Sequence, residues 1–357
     1  MSMYIDFHVL QTVPPSCINR DDTGSPKTAV YGGAVRARVS SQAWKHAMRK
    51  SFKDLFAEEE RGSRTKFVVD MVAKEMLALD STLDEAGAMN KAAVALKEAG
   101  VSLDEKKNEA KALFFMSNQQ AKAVAAIALE GNPKDKAVKD ALKKALKDNP
   151  SIDIALFGRM VATDPSLNSD ASAQVAHAIS THAVQNEYDY FTAVDDLHAE
   201  DTAGAGHLGT VEFNSSTLYR YATVNASELA KTLGVESVPE VIRKFGQAFI
   251  CSMPTGKENT FANRTFPDTV YITIRLDQPV NLCGAFEKPV GRSANGYAAA
   301  SEAAFVTYAE TIYSRYAAQP MQAFGIGDSI DKIAETISLP ELLAALEQKI
   351  CEQLSEV

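Results

Sequence analysis

The residues best suited to binding chemistry lie in one basic segment, residues 16–50. This segment holds seven Lys or Arg and two Asp, a net charge of +5, whereas the 357-residue chain carries -9, so the remainder sums to -14. The cations are Arg20, Lys27, Arg36, Arg38, Lys45, Arg49 and Lys50. The acidic balance argues against attraction of the whole surface to nucleic acid or membrane, but a local groove depends on where charge lies. The segment therefore predicts a short anion-binding groove.

A helix positions part of this charge. The serine pair at 40–41 predicts a cap for a helix that ends near Phe52. On that helix Gln42, Lys45 and Arg49 follow i, i+3, i+7 spacing and share one face. The free N–H groups of its first turn add a possible anion site, which suits a chain of phosphates. An amphipathic helix with a solvated basic face remains the alternative.

The elements before this helix extend the basic region. The segment AVRARVS predicts a strand with Arg36 and Arg38 on one face. Residues 11–33 predict a long loop that carries Arg20 and Lys27, because proline, glycine and aspartate dominate it.

Two adjacent carboxylates offer a second chemistry. Asp21 and Asp22 could hold Mg²⁺ for phosphodiester cleavage, although a simple loop turn is the better interpretation of the pair. We predict no catalytic residue beyond this alternative, no resident metal and no cofactor.

The GAGHLG motif at 204–209 resembles a dinucleotide fingerprint, but a strand-like segment follows it where that fingerprint needs a helix. A hairpin tip is the better interpretation.

Several classes of protein are disfavoured. The four cysteines form no C-x-x-C pair, which indicates reduced, buried thiols in a cytoplasmic protein. The N-terminal residues lack a signal-peptide pattern, and no apolar run is long enough to span a bilayer, so we expect no membrane partner.

The pattern along the chain predicts an α+β fold. Residues 3–10 alternate like a strand, whereas the segment up to about residue 150 has helical spacing and predicts an inserted all-helical lobe without strands. β-like segments return after Pro150, beginning with SIDIALFGRM at 151–160, and helices are expected near 238–252 and at the C-terminal end. Strands and helices interleaved around such an insertion favour a ferredoxin-like or RNA-recognition type of sheet.

Aromatic residues mark the base of a predicted long hairpin. Tyr188, Tyr190 and Phe191 precede the polar, glycine-rich segment that would form its tip. Aromatic side chains beside a basic groove can stack on bases, but in a strand they also pack in cores. Met160, at the end of a predicted strand, has the same two interpretations.

Several motifs follow one another along the chain: PSCINRDDTGSPKTAVYGG, RARVSSQAWKHAMRK, DIALFGRM, AHAISTH, DYFTAVDDL and HLGTVEF. In this order they resemble the CasC-type backbone subunit of Cascade, the type I-E CRISPR surveillance complex. The resemblance covers residues 1–50 and 151–225 strongly and the C-terminal part more weakly. It implies a hand-shaped protein with a palm, helical fingers and a hairpin thumb. The implied segments are palm 1–52, fingers 53–150, palm 151–188, thumb 189–212 and palm 213–357.

The resemblance also implies a non-catalytic scaffold. Family members line up head to tail along the CRISPR RNA spacer beside other Cascade subunits, grip its phosphates, and displace bases at regular intervals so that the rest can pair with target DNA. The residues implied to hold RNA are Arg20, Lys27, Ser40, Gln42, Lys45 and Arg49, and those implied to bracket the displaced base are Met160, Phe191 and Thr192. An RNA endonuclease of the related type III backbone kind, using Asp21 and Asp22, is the alternative.

Overall fold

In the described part of the chain, the strands build one large sheet and two small two-stranded sheets. The computed structural model describes residues 2–104, 106–192 and 208–355. The strands in these ranges are β1 (Tyr4–Ser16), β2 (Thr28–Tyr31), β3 (Ala34–Val39), β4 (Gly62–Thr65), β5 (Leu103–Asp104), β6 (Glu109–Ala110), β7 (Phe114–Ser117), β8 (Ala173–Val175), β9 (Ala178–Ser180), β10 (Glu187–Thr192), β11 (Leu208–Asn225), β12 (Thr269–Arg275), β13 (Gln322–Ile326) and β14 (Glu335–Thr336). Helices connect or cover them, so the predicted α+β class is confirmed.

Eleven α-helices lie in the described part of the chain. They are α1 (Ser41–Leu55), α2 (Val68–Leu79), α3 (Glu85–Glu98), α4 (Asn118–Glu130), α5 (Lys136–Ala145), α6 (Ile152–Phe157), α7 (Ala226–Leu233), α8 (Val238–Cys251), α9 (Glu258–Phe261), α10 (Ala298–Arg315) and α11 (Leu339–Ser355). In the described ranges, no helix combines the length and the apolar character needed to cross a bilayer.

The large sheet is centred on β1. Its order is β14-β13-β12-β1-β11-β9-β3-β2, and β8 and β10 also pair with β11. β1 pairs antiparallel with both β11 and β12, so His8 lies opposite Tyr221 on one side and Tyr271 on the other. Because side chains alternate along a strand, β1 sends successive residues to opposite faces of this sheet.

One face of the sheet carries the main apolar core. Ile5, Phe7 and Val9 are fully buried there and belong to one cluster with Trp44 of α1 and Phe245 of α8. The rings of Phe7 and Phe245 lie 5.5 Å apart. This packing seats α1 on the sheet and fixes which of its faces reach solvent.

The opposite face is polar and aromatic. Asp6 accepts hydrogen bonds from the Tyr221 hydroxyl at 3.0 Å and from the Val280 N–H at 2.8 Å, and burial raises its pKa to about 6. His8 Nδ1 lies 2.9 Å from the Tyr219 hydroxyl, and burial lowers the pKa of His8 to about 3. Phe305 of α10 packs on His8 with 5.5 Å between ring centroids. The sheet is thus buried on both faces.

The segment between α1 and α6 forms a second hydrophobic core. Buried side chains of α2, α3, α4 and α5 pack together, including Val72, Leu96, Val124 and Leu142. The prediction of an all-helical lobe without strands is wrong, because β4 pairs with β7 and β5 pairs with β6. These strands have only two to four residues each, too few to show an alternating pattern.

A hairpin rises from the sheet beside β11. β10 pairs with the start of β11 from Glu187↔Phe213 to Thr192↔Leu208. The glycine-rich segment predicted to form the tip, including most of the 204–209 motif, lies outside the described residues.

Three further predictions are wrong in detail. Ile152–Phe157 form helix α6 where a strand was expected. The expected loop 11–33 contains the end of β1 and all of β2. The four cysteines are free, as predicted, but Cys351 is exposed whereas only Cys17 is buried.

Candidate nucleic-acid interface

Helix α1 is held rigidly where its cations meet solvent. The Ser40 hydroxyl caps it by accepting a hydrogen bond from the Ala43 N–H at 3.3 Å, and the Ser40 N–H donates to Asn19 Oδ1 at 2.8 Å. Trp44 is buried beneath the helix, and the Arg220 guanidinium stacks 3.8 Å from its ring centroid. Arg220 also donates to Gln11 Oε1 at 2.6 Å, and burial lowers the pKa of Arg220 to about 9. The predicted cap and helix are confirmed.

A groove of about 470 Å³ lies between α1, the chain after α6 and the segment between α1 and α6, which we call the finger lobe. We call it the finger-side groove. Its lining is Gln42, Lys45, His46, Arg49, Arg64, Leu113, Phe115, Phe157, Gly158, Arg159, Met160, Asn168, Ser169, Asp170 and Ala171. Gln42, Lys45 and Arg49 therefore share one wall, as their helical spacing predicts, and Met160 lies across from them.

Lys45 is the cation of this wall whose pKa is shifted by burial alone. Its ammonium lies 5.5 Å from the centroid of the Phe157 ring. Partial burial lowers the pKa of Lys45, and no acidic neighbour in the described part of the chain contributes to that shift. A phosphate entering the groove would supply the missing counter-charge.

Arg49, predicted to hold the RNA backbone, already has partners within the protein. Its Nε lies 3.1 Å from Oδ2 of Asp153, a buried carboxylate at the start of α6, and its guanidinium lies 4.4 Å over the Phe115 ring. Asp153 also accepts hydrogen bonds from the Gly62 N–H at 2.8 Å and the Ser151 hydroxyl at 2.7 Å. Arg49 thus joins α1 to the finger lobe, and part of its charge is neutralised before any ligand binds.

Met160 is placed by a turn rather than by a strand. Gly158 ends α6 with φ +75°, a conformation that favours glycine, and its neighbour Arg159 pairs with Ser169 through backbone hydrogen bonds. Arg159 is buried and donates to the carbonyl oxygens of Phe115 and Leu167, both at 3.0 Å. Met160 is 83% exposed, so its side chain is free to contact a ligand.

The remaining predicted cations lie apart from the finger-side groove. Arg20 is exposed beside Pro26, and Lys27 lines a narrow cleft with Arg38. Ser40 is buried and its hydroxyl is used by the helix cap. In the described part of the chain, therefore, only part of the predicted site is gathered into one groove.

Arg36 does not extend the basic surface beside Arg38 as expected. It is fully buried and donates to the carbonyl oxygens of Ser180 and Phe286, each at 2.8 Å. The alternation of β3 is broken at this point, since both Arg36 and Ala37 are buried. Arg36 therefore ties the sheet edge to the loop after β12 and is not available to a ligand.

Asp21 is occupied within its own loop. Its Oδ1 accepts from the Thr23 N–H at 2.9 Å, the Thr23 hydroxyl at 2.7 Å and the Ser25 N–H at 3.0 Å. The hydrogen bond from the Thr23 side chain lowers the pKa of Asp21 most. Within the described ranges, no three His, Cys, Asp or Glu side chains are grouped to hold a metal ion.

The aromatic base of the hairpin is exposed. Tyr188 and Tyr190 lie on the same face of β10 and are 67% and 64% exposed. Phe191 lies opposite Gly209 in the register, and its ring occupies the space that a Cβ at Gly209 would need, 2.3 Å away. Phe191 and Thr192 are both exposed and stand on this hairpin, outside the finger-side groove.

Among the exposed basic residues of the finger-side groove, sequence reasoning missed two. Arg64 reaches the finger-side groove from β4, which was not predicted, and His46 lies on α1 between the predicted cations. The i, i+4 spacing of Gln42 and His46 was a usable signal for the histidine. Arg64 carries no such signal, because its position depends on the pairing of β4 with β7.

The fold and the groove together define an α+β protein with a cationic cleft where two lobes meet. The chain belongs to the CT1975-like protein family, whose model matches residues 5–349. Its structure is similar to a chain of a "CRISPR RNA-guided surveillance complex, pre-nicking", with 31% identity, a TM-score of 0.84, and coverage of 97% of this chain and 100% of that one. A chain of a second "CRISPR RNA-guided surveillance complex" is 28% identical, with a TM-score of 0.64 and coverage of 97% and 99%. No curated protein matches the sequence.

Proposed function

We propose that the protein is a non-catalytic backbone subunit of a CRISPR RNA-guided surveillance complex of the type I-E kind. The observation that carries this proposal is the finger-side groove, where Gln42, Lys45 and Arg49 face Met160 across a cleft of about 470 Å³. The family membership and the similarity over nearly the whole chain to subunits of such complexes support it.

The groove chemistry suits a phosphate backbone. Lys45 and Arg64 provide cations for phosphates, and Gln42 provides an amide for a phosphate or ribose oxygen. A subunit that grips backbone alone tolerates any spacer sequence, so pairing of the guide with target DNA supplies the specificity. Arg49 contributes less than its charge suggests, because Asp153 already binds it.

The remaining roles extend along the bound RNA. Arg20, Lys27 and Ser40 would hold the guide beyond the finger-side groove, and Phe191 with Thr192 would bracket, together with Met160, a base displaced from the stack. The thumb would reach a neighbouring copy in a head-to-tail filament, and other Cascade subunits would bind at its ends. Exposed aromatic side chains at the thumb base support this arrangement, because every base offers a face for stacking.

The endonuclease alternative is less well supported. Cleavage by Asp21 and Asp22 would need carboxylates directed at a metal ion, whereas Asp21 Oδ1 accepts three hydrogen bonds inside its own loop. Asp22→Ala distinguishes the two functions. Target RNA paired to the guide should stay intact in Mg²⁺ with both wild type and variant, and regular cleavage lost in the variant would establish the nuclease.

The scaffold proposal predicts that Lys45→Glu weakens binding of single-stranded RNA about tenfold, for all sequences alike, because one phosphate contact is lost. We choose Lys45 rather than Arg49 because Arg49→Glu would also place a second carboxylate beside Asp153. Lys53→Glu is the control, since Lys53 is exposed on the same helix but lines neither this groove nor the narrow cleft at Lys27. Fluorescence anisotropy over a salt series measures the effect, and equal losses in both variants would contradict a specific groove.

A further inference from the structure

A second groove follows the opposite flank of α1. It has a volume of about 390 Å³ and lies between the helix and the chain after α8. We call it the loop-side groove. The helix contributes Ala43, His46, Ala47, Lys50, Ser51 and Asp54 to it. This i, i+3, i+4, i+7 stripe extends over about 16 Å of helix.

Three basic side chains surround the loop-side groove. His46 and Lys50 lie on α1, and Arg264 lies on the opposite wall, all three exposed. Neither Lys50 nor Arg264 is paired with an acidic side chain in the described part of the chain. Asp54 is the acidic member of the lining and stands at the far end of the stripe, one turn beyond Lys50. The groove therefore keeps an excess of positive charge near its middle.

The remaining wall is less polar. Met253 and Pro254 are buried and line the groove opposite Ala43 and Ala47. Small apolar side chains beside exposed cations suit a nucleotide, whose sugar or base packs on the apolar part while its phosphate meets the charges.

The position of the groove favours the RNA that the finger-side groove is proposed to hold. His46 lines both grooves, so α1 forms a ridge between them. The loop wall continues to α9, where Phe261 packs against Phe213 at the base of the thumb with 5.8 Å between ring centroids. It also abuts the end of β1, since a Cβ on Gly256 would lie 2.3 Å from the Ile18 carbonyl oxygen. The loop-side groove thus lies between the ridge and the thumb base.

We propose that the loop-side groove is a second phosphate subsite, which binds an adjacent nucleotide of the same single-stranded RNA through His46, Lys50 and Arg264. This inference rests on the proposed function, because it assumes an RNA strand on the finger-side groove. It assigns a binding role to the 252–264 segment, in which the sequence motifs singled out no residue.

The double variant Lys50→Glu with Arg264→Glu tests the subsite. It should weaken binding of single-stranded RNA about twentyfold in low salt, and the slope of log affinity against log salt should become shallower by about 1.4, the value for two phosphate contacts. Lys53→Glu serves as the matched control, and Lys45→Glu is measured in parallel. A loss with Lys45→Glu alone would overturn the second subsite and leave the proposed function standing, whereas no loss with either would contradict both.

Photocrosslinking locates the contact directly. RNA containing 4-thiouridine should crosslink to peptides that span residues 252–264 in the wild-type protein, and the double variant should lose these crosslinks while keeping those in the finger-side groove. Crosslinks confined to the finger-side groove would overturn the proposal. A polyglutamate peptide that displaces RNA at equal charge concentration would also overturn it, since the groove would then recognise charge without a nucleotide.

Discussion

The two flanks of α1 carry similar charge but use it differently. On the finger side, Arg49 pairs with Asp153 and stacks on Phe115. This cation therefore connects α1 to the finger lobe. On the loop side, Lys50 and Arg264 have no acidic partner in the described ranges. A cation near a surface groove can therefore either stabilise the fold or remain available for a ligand, and charge counts do not separate the two.

The largest effect should come from breaking the connection on the finger side. Asp153→Ala leaves Arg49, the Gly62 N–H and the Ser151 hydroxyl without their acceptor. We expect a loss of about 3 kcal/mol in the free energy of unfolding, the lower end for a buried pair because the Arg49 side chain is 25% exposed. Urea unfolding followed by circular dichroism measures it.

Asp153→Asn is the matched control for that experiment. The amide keeps an oxygen for the Gly62 N–H but removes the charge, so it should cost clearly less than alanine. Equal and small losses of unfolding free energy in both variants would show that the Arg49–Asp153 pair contributes little to stability. Arg49 would then differ little from the unpaired cations on the loop side.

A smaller effect is expected beneath both grooves. Arg220→Met removes the guanidinium between Trp44 and Phe249 and leaves Gln11 Oε1 without its donor. Unfolding should become easier by about 1–3 kcal/mol. Arg220 packs under Trp44 of α1, and α1 lines both grooves, so RNA affinity should fall at both grooves together. RNA binding by Arg220→Met combined with Lys45→Glu, and by Arg220→Met combined with Lys50→Glu, would show this. A loss confined to one groove would mean that α1 does not act as one ridge.

The smallest effect concerns the hairpin of β10 and β11. Gly209→Ala places a methyl group where the Phe191 ring lies, and the ring end must move aside. Since this ring is partly exposed, stability should change by less than about 1 kcal/mol. Fluorescence of a 2-aminopurine placed at the displaced position should drop if Phe191 holds that base out of the stack, and an unchanged signal would remove Phe191 from the site.

Local signals allowed the prediction of α1 and of the first part of β1. The Ser40 cap and the spacing of the cations depend on neighbours in sequence, and the structure places both as expected. Helix α6 was missed because its six residues are buried on nearly every side, so their apolar run resembles a buried strand. The role of Arg49 could not be predicted, because its partner Asp153 is 104 residues away. Long-range ion pairs leave no local pattern in the sequence.

The hydrogen bond from the Ser40 N–H to Asn19 Oδ1 has a further consequence. It fastens the start of α1 to the segment that carries Arg20, and Lys27 is held to that same segment by its N–H donating to the Asn19 carbonyl oxygen at 2.9 Å. The backbone positions from which these basic side chains extend are therefore fixed in the free protein. Much of the entropy lost in arranging them is lost during folding rather than on encounter with a ligand, which favours rapid, reversible capture of a flexible polyanion.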